Sequence, residues 1–253
     1  MEIFDVNVIN KNQKKWIQKN VFAPIHPARV LFTGTSGSGK TNCALCCIYK
    51  HLYFDKLYVY TRNPEQGCYA TLREFMEKST KELRKKLKDD NLEIYHEGHT
   101  LQDIIPLDDM NQDLQNLVVF DDFLTERDQS QINEFFSRGR HKNASVFYLS
   151  QSFYATPRLI RLNCNYFAFF GSPSKNDINM IARDIGLDMT KEEFISLWKE
   201  VLKEPYSFLF IDTVSTHLPL RYRMKFDNLY NPSPKSIDDC YIMKKPQGAN
   251  QSE

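Results

Sequence analysis

The sequence predicts an α/β fold in which a central, mostly parallel sheet is flanked by helices. Short, continuous apolar runs occur at residues 30–32, 117–120 and 146–149, and such runs are typical of parallel strands buried on both faces. Segments of helix length separate them, and this alternation favours a sheet covered on both sides. With 253 residues, 42% of them hydrophobic, the chain is long enough for one such domain with a sizeable core.

The first half of the chain supplies three predicted strands and two helices. We expect a strand at residues 29–33 and a helix at 40–52, on either side of a glycine-rich turn. A second strand is expected at 57–60, whose sequence is LYVY. A helix at 69–88 that ends in a charged face precedes a short strand at 92–95.

The middle of the chain continues the alternation. Residues 99–114 are expected to be helical, and the apolar run at 117–120 is the next buried strand. A helix at 129–138 leads to the buried strand at 146–149, and another strand follows at 166–170.

The last third contains two more predicted helices, at 174–186 and 190–203, and a strand at 207–212. Residues 220–226 are a candidate to pair with that strand. Beyond residue 231 the chain holds prolines and a Lys-Lys pair, so we expect a flexible tail. The predicted regions are an N-terminal arm at 1–24, one folded domain at 25–230 and a C-terminal tail at 231–253.

Residues 34–41, GTSGSGKT, fit the phosphate-loop pattern G-x-x-x-x-G-K-[ST] between a predicted strand and helix. Backbone N–H groups of such a turn and of the following helix N-terminus form a concave site for phosphate oxygens. We expect Lys40 to reach the β- and γ-phosphates and the Thr41 hydroxyl to bind Mg²⁺. The predicted cofactors are therefore ATP and Mg²⁺. The expected nucleotide-binding residues are Gly34, Thr35, Ser36, Gly37, Ser38, Gly39, Lys40, Thr41 and Asn42.

Two aspartates, Asp121 and Asp122, end the apolar run at 117–120, about 80 residues after the phosphate loop. Ligands of open α/β sheets bind at the carboxyl ends of strands. Asp121 therefore fits the Walker-B role of holding Mg²⁺ directly or through its water. Asp122 is the candidate that polarises the attacking water. The alternative is an acidic strand end followed by a helix cap.

Gln151 follows the next buried strand, between two serines. An amide at that strand tip is a candidate to sense the γ-phosphate or to orient water. A turn-forming polar cluster is the alternative.

Basic residues crowd the segment before that strand, FSRGRHKN at 136–143. Arginine suits the stabilisation of charge on a transferring phosphoryl group, often from a neighbouring subunit. Arg140, with Arg138 as the alternative, is the candidate arginine finger. The competing interpretation is a surface turn with solvated charge.

Composition excludes few functions. The formal net charge of +1 argues only against a highly basic nucleic-acid-binding protein. No apolar run approaches the roughly 18 residues of a membrane span.

Taken together, these segments resemble the genome-packaging ATPases of double-stranded DNA viruses, in the FtsK–HerA superfamily that includes the poxvirus, virophage and Polinton packaging ATPases. The matching elements are the phosphate loop with its strand, residues 119–122, and Gly139-Arg140-His141 leading to Gln151. The resemblance covers roughly residues 25–172. It implies an ASCE-type, RecA/FtsK-like P-loop NTPase.

The resemblance also implies partners and a location. It implies a ring, a pentamer or hexamer, that pumps double-stranded DNA into a preformed capsid and contacts capsid or portal/vertex proteins. The expected location is the host cytoplasm or a viral factory, or the virion. One departure from the superfamily pattern is Asp122, where Glu is frequent.

Other functions remain as alternatives. A small P-loop kinase would need a lid and an acceptor pocket, and a GTPase would need N-K-x-D, whereas residues 174–177 are SKND. A P-loop ATPase that acts as a capsid or vertex assembly factor without DNA translocation is the remaining rival. Candidate DNA-contacting loops are 61–68 and 152–163, the second with Arg158 and Arg161.

Overall fold

A computed structural model describes residues 17, 19–20, 22–171, 174–185, 189–215 and 218–229. The strands are β1 Arg29–Thr33, β2 Lys56–Thr61, β3 Tyr95–Gly98, β4 Asn116–Asp121, β5 Ala144–Ser150, β6 Tyr166–Phe170, β7 Phe208–Asp212, β8 Tyr222–Met224 and β9 Asn228–Leu229. The α-helices are α1 Lys40–His51, α2 Gly67–Leu87, α3 Ser130–Arg138, α4 Arg158–Asn163, α5 Lys175–Ile185, α6 Lys191–Val201 and α7 Leu218–Arg221. No helix in these described ranges is both long and apolar enough to cross a membrane.

The strands form a single sheet in the order β3-β2-β4-β5-β1-β6-β7-β8-β9. Strands β1 to β6 run parallel, and β7, β8 and β9 continue the sheet with antiparallel pairing. The predicted α/β fold with a mostly parallel sheet is thereby confirmed. The pairing of β8 with β7 also agrees with the prediction for residues 220–226.

The register of the central strands brings their carboxyl ends level. Asp121 at the end of β4 lies opposite Leu149 of β5, and Ser150 lies opposite Thr33 at the end of β1. The loops that follow these three strands therefore meet at one edge of the sheet. We call it the carboxyl edge, and the opposite edge of the same strands the amino edge.

Both faces of the sheet are covered, which is why its strands are continuously apolar in sequence. On one face Val30, Phe32 and Phe147 pack with α1 and α2. On the other, Leu31 and Tyr148 pack with α3, α4, α5 and α6. Neighbouring residues of a strand thus belong to different cores, as the alternation of side chains along a strand requires.

The prediction of a helix at residues 99–114 is wrong. The segment forms two short 3₁₀ turns, Leu101–Asp103 and Leu107–Asp109. Pro106 lies between them, lacks an N–H and disfavours helical backbone at the residue before it. The Asp103 carboxylate also accepts hydrogen bonds from the backbone N–H groups of His99 and Thr100, which closes the first turn locally.

Smaller differences concern the positions of individual elements. The third strand pairs with β2 over Tyr95–Gly98, three residues later than the predicted 92–95. The short helix α4 was not predicted. The predicted tail at 231–253 and most of the predicted arm at 1–24 lie outside the described residues.

Candidate active site

Glycine shapes the phosphate loop between β1 and α1. Gly39 precedes α1 with a φ of 93°, a left-handed conformation that L side chains rarely adopt. At Gly34, an added Cβ would lie 2.6 Å from the carbonyl oxygen of Phe170. At Gly34 the loop is therefore packed directly against the end of β6.

Lys40, the first residue of α1, folds back across this loop. Its ammonium group donates hydrogen bonds to the carbonyl oxygens of Gly34 at 2.7 Å and Thr35 at 2.9 Å. The side chain is buried. Burial lowers the pKa of the Lys40 ammonium, and the charges of Asp121 and Asp122 partly oppose that shift. The cation is thus placed at the loop that would receive phosphate.

Asp121 accepts two hydrogen bonds on one carboxylate oxygen. The Thr41 hydroxyl donates from 3.2 Å and the Tyr69 hydroxyl from 2.6 Å, both to Oδ2. Burial raises the pKa of Asp121, and the bonds from Tyr69 and Thr41 oppose that rise because they stabilise the carboxylate. Asp121 and Thr41 thus lie together, as their predicted roles require.

The donor set at this point fits Mg²⁺. A hydroxyl and a carboxylate are the oxygen ligands that this cation prefers. The 3.2 Å between Thr41 Oγ1 and Asp121 Oδ2 is near the ~3 Å that separates adjacent ligands in an octahedron with bonds of about 2.1 Å. Thr41 from α1 and Asp121 from β4 would therefore both bind the ion.

Asp122 lies just beyond β4, held between two amides. Asn63 donates to its Oδ2 at 2.6 Å, and Gln151 donates to its Oδ1 at 3.3 Å. Its backbone has a φ of 65°, a left-handed conformation that aspartate tolerates better than most residues. Asp122 and Gln151, which the sequence analysis named as separate candidates, are thus in contact at the carboxyl edge.

These groups line one open cleft of about 490 Å³. Such a volume is within the range of small-molecule sites. The lining residues are Ser36, Gly37, Gly39, Lys40, Thr41, Asn42, Asn63, Gln66, Cys68, Asp121, Asp122, Leu149, Ser150 and Gln151.

The sequence analysis missed Asn63 and Tyr69. Asn63 carried a signal, because it follows β2 by two residues and β2 neighbours β4, so both loops meet at the carboxyl edge. Tyr69 carried none. It is one of several aromatic residues in the chain, and only the packing of α2 on the sheet brings its hydroxyl to Asp121.

Arg138 and Arg140 lie far from this cleft in the same chain. They precede β5, whereas Gln151 follows it, and a strand of seven residues spans about 20 Å. Arg138 forms ion pairs with Glu134 and Asp108. The exposed Arg140 side chain forms no ion pair with any residue in the described ranges. A role for either in phosphoryl transfer requires a neighbouring subunit.

The segment after Gln151 is anchored through a buried carboxylate. Asp177, on α5, accepts hydrogen bonds from the Ser152 hydroxyl at 3.0 Å, the Tyr154 N–H at 2.6 Å and the Ser174 hydroxyl at 2.9 Å. Only 6% of Asp177 is exposed. The strand tip that carries Gln151 is therefore connected to the start of α5.

Solved structures share this architecture. The genome packaging NTPase B204 from Sulfolobus turreted icosahedral virus 2, in complex with sulfate, is 13% identical with a TM-score of 0.52, over 79% of this chain and 96% of that chain. Its complex with AMPPCP gives a TM-score of 0.51 at 13% identity, over 79% and 98% of the two chains. At this identity the likeness shows the fold. It confirms the predicted P-loop NTPase architecture.

The sequence itself also matches a family. No curated protein matches the chain. The family model described as poxvirus A32 protein matches residues 14–218, which is most of the chain and includes every candidate site residue named above. This match confirms the resemblance to the viral genome-packaging ATPases, and the chain belongs to the poxvirus A32 protein family.

Proposed function

We propose that this protein is a Mg²⁺-dependent ATPase that moves double-stranded DNA into a preformed viral capsid. One observation carries the ATPase part of the proposal. The phosphate loop, the Thr41–Asp121 pair and the Asp122–Gln151 pair come from three adjacent parallel strands and converge on one cleft. The family match and the B204 likeness support packaging as the purpose of hydrolysis.

In this proposal Lys40 exchanges its two carbonyl partners for oxygens of the β- and γ-phosphates. The carbonyls of Gly34 and Thr35 keep the ammonium oriented before the nucleotide arrives. The exchange requires no large movement, because the same loop supplies the N–H groups for the phosphates. Thr41 and Asp121 would hold Mg²⁺, which neutralises charge on the phosphate oxygens.

Asp122 is the proposed base for the attacking water. The water oxygen forms a bond to the γ-phosphorus while the bond to the ADP oxygen breaks, and a water proton passes to Asp122. The amides of Asn63 and Gln151 hold the Asp122 carboxylate in one orientation through hydrogen bonds. Gln151 is placed to respond when a phosphate oxygen or water competes for its amide.

Arg140 is the proposed finger, and it acts on the cleft of the next subunit. Its exposure and its lack of an ion pair among the described residues favour it over Arg138, which is paired twice. Since it lies near the amino edge, a head-to-tail ring would bring it towards a neighbour's carboxyl edge. This proposal includes a pentamer or hexamer as the working form.

DNA contact is proposed at a few exposed cations rather than over the whole surface, since the net charge is +1. Arg158 on α4 is exposed and remains a candidate. Arg161 is a poor candidate, because it donates to the Thr156 carbonyl, pairs with Asp184 at 3.2 Å and lies over the Phe153 ring. Capsid or portal/vertex proteins complete the proposed partners, in the infected cell or the virion.

The test measures ATP hydrolysis by the full chain with and without double-stranded DNA, together with its mass in solution. We expect hydrolysis, an oligomer, and stimulation by DNA. A confirmed oligomer that hydrolyses ATP but ignores DNA would support the rival function, an ATPase that assists capsid or vertex assembly. A kinase is disfavoured because β5 separates β1 from β4, and transfer of phosphate to an acceptor other than water would revive it.

A further inference from the structure

A second cleft, of about 380 Å³, lies on the other side of the phosphate loop. One wall is the loop itself, residues 35–38, and the other is the turn between α6 and β7, residues 202–207. Ser36 and Gly37 line both clefts. A ligand bound on the loop can therefore extend from the catalytic cleft into this one.

The far wall presents a tyrosine where the backbone favours glycine. The Ser207 N–H donates to the Glu204 carbonyl at 3.2 Å, which closes a turn with Pro205 second and Tyr206 third. Tyr206 has a φ of 55°. A positive φ at the third position of a turn is ordinarily met by glycine or asparagine. Residues held in such conformations are concentrated at functional sites.

The Tyr206 side chain does not contribute to the core. It is 81% exposed, the highest value among the exposed large hydrophobic side chains of the described ranges. Its Cδ1 atom lies 3.8 Å from the point where a Cβ on Gly39 would be. The ring is thus placed beside the phosphate loop, with most of its surface available.

A polar group without a partner accompanies the ring. Ser207 lines the cleft, and its buried hydroxyl finds no hydrogen-bond partner among the described residues. The Ser38 hydroxyl on the opposite wall is in the same state. A buried hydroxyl is ordinarily hydrogen-bonded, and a ligand in this cleft with donors and acceptors would provide partners for these two.

We propose that this cleft is the nucleoside site, in which Tyr206 stacks on a purine base and the Ser207 hydroxyl bonds to the nucleoside; this rests on the proposed function. Stacking on an aromatic ring accepts any base, because every base has a π-face. The one charged side chain in the lining, Glu204, is paired with Lys225 at 3.2 Å. Because a purine offers a larger ring than a pyrimidine for stacking on Tyr206, the site prefers purines. It separates adenine from guanine only weakly, because the one charged side chain of the lining is already paired.

The test measures the affinity of the full chain for ATP, GTP, CTP and tripolyphosphate, in the wild type and in Tyr206→Gly, Tyr206→Phe and Lys40→Ala. We expect Tyr206→Gly to weaken ATP and GTP about 10-fold and to leave tripolyphosphate unchanged. The melting temperature of its nucleotide-free form should equal or exceed that of the wild type, because glycine suits the turn. Tyr206→Phe should bind ATP as the wild type does.

The control is Tyr49→Ala, which removes an exposed tyrosine from α1 about 13 Å along the helix from Lys40. Unchanged ATP affinity in Tyr206→Gly would overturn the inference. So would an equal loss of ATP and tripolyphosphate binding, since that pattern means a structural role. Failure of the wild type to bind tripolyphosphate or ATP, with Lys40→Ala no different, would instead contradict the proposed function.

Discussion

The two edges of the parallel strands both carry a set of polar side chains, which is buried at the amino edge and half-buried or exposed at the carboxyl edge, and the hydrogen-bond partners of the two sets differ. At the amino edge, the Asn116 side chain donates to three main-chain carbonyls, and that of Gln115 donates to two. At the carboxyl edge, Asn63 and Gln151 both donate to the Asp122 carboxylate beside an open cleft.

The difference shows how to separate structural from functional polar residues. At the amino edge these bonds tie the main chain of connecting segments together away from the cleft, so we interpret this edge as a structural seam. Side-chain partners at an open cleft can be replaced by a ligand. Arg140 is an exception near the amino edge, because it is exposed and lacks an ion pair among the described residues.

Arg140 gives the most severe test of this division. In the assembled oligomer we expect Arg140→Ala to lower kcat about 10³-fold or more, as expected for an arginine finger. Mixing Arg140→Ala subunits with Lys40→Ala subunits should restore part of the activity, because some interfaces then join an intact loop to an intact arginine. Steady-state ATP hydrolysis measures both. If Arg140→Ala and Arg138→Ala each kept full activity, the amino edge would have only a structural role.

Asp122 tests the carboxyl edge. We expect Asp122→Asn to lower kcat by roughly 10² to 10³, because the amide cannot accept the water proton. ATP affinity should be retained, since the phosphate loop is intact, and equilibrium binding measures it. Asp90→Asn, at an exposed turn after α2, is the matched control and should leave kcat unchanged. Normal turnover by Asp122→Asn would remove Asp122 from catalysis.

Asn116 tests the seam. Removing its amide takes a donor from three main-chain carbonyls, of which, among the described residues, only that of Asn111 keeps another, the Leu114 N–H, so Asn116→Ala should lower the free energy of unfolding by about 3 kcal/mol. Urea denaturation measures the change. The kcat of the folded variant should stay close to that of the wild type. Asn63→Ala should show the opposite pattern, with a lower kcat and an unchanged free energy of unfolding. If the two variants exchanged these effects, the division between the edges would be wrong.

Tyr69 sharpens the comparison within the site. Its hydroxyl stabilises the Asp121 carboxylate, so Tyr69→Phe should raise the pKa of Asp121 further. The acidic limb of the pH–activity profile should then move to higher pH, because protonated Asp121 does not bind Mg²⁺. At neutral pH, Mg²⁺ affinity should fall about 10-fold. Tyr148→Phe, another buried tyrosine, bonded to Gln129, should change neither quantity. An unmoved acidic limb would contradict the role given to Tyr69.

Local patterns predicted the fold and the residues at strand ends. The phosphate loop, Asp121 and Asp122 each follow a continuous apolar run, and a doubly covered parallel sheet requires such runs. Local sequence patterns do not predict side chains that reach the site only through tertiary packing, such as Tyr69. The helix predicted at 99–114 failed because Pro106 and the Asp103 turn interrupt it. No sequence pattern predicted the placement of Tyr206, because it depends on the positive φ at that residue.

The Asp177 carboxylate connects the segment after Gln151 to α5. Ser152 and Tyr154 are bonded to it directly, one and three residues after Gln151. In the proposed function, a shift of Gln151 on loss of the γ-phosphate would reach α5 through these bonds. Because α5 packs on α6, and α6 leads into the turn that carries Tyr206, these contacts connect the segment after Gln151 with the far wall of the second cleft. One end of this connection lies beside the Asp122–Gln151 pair, and the other lies beside the phosphate loop.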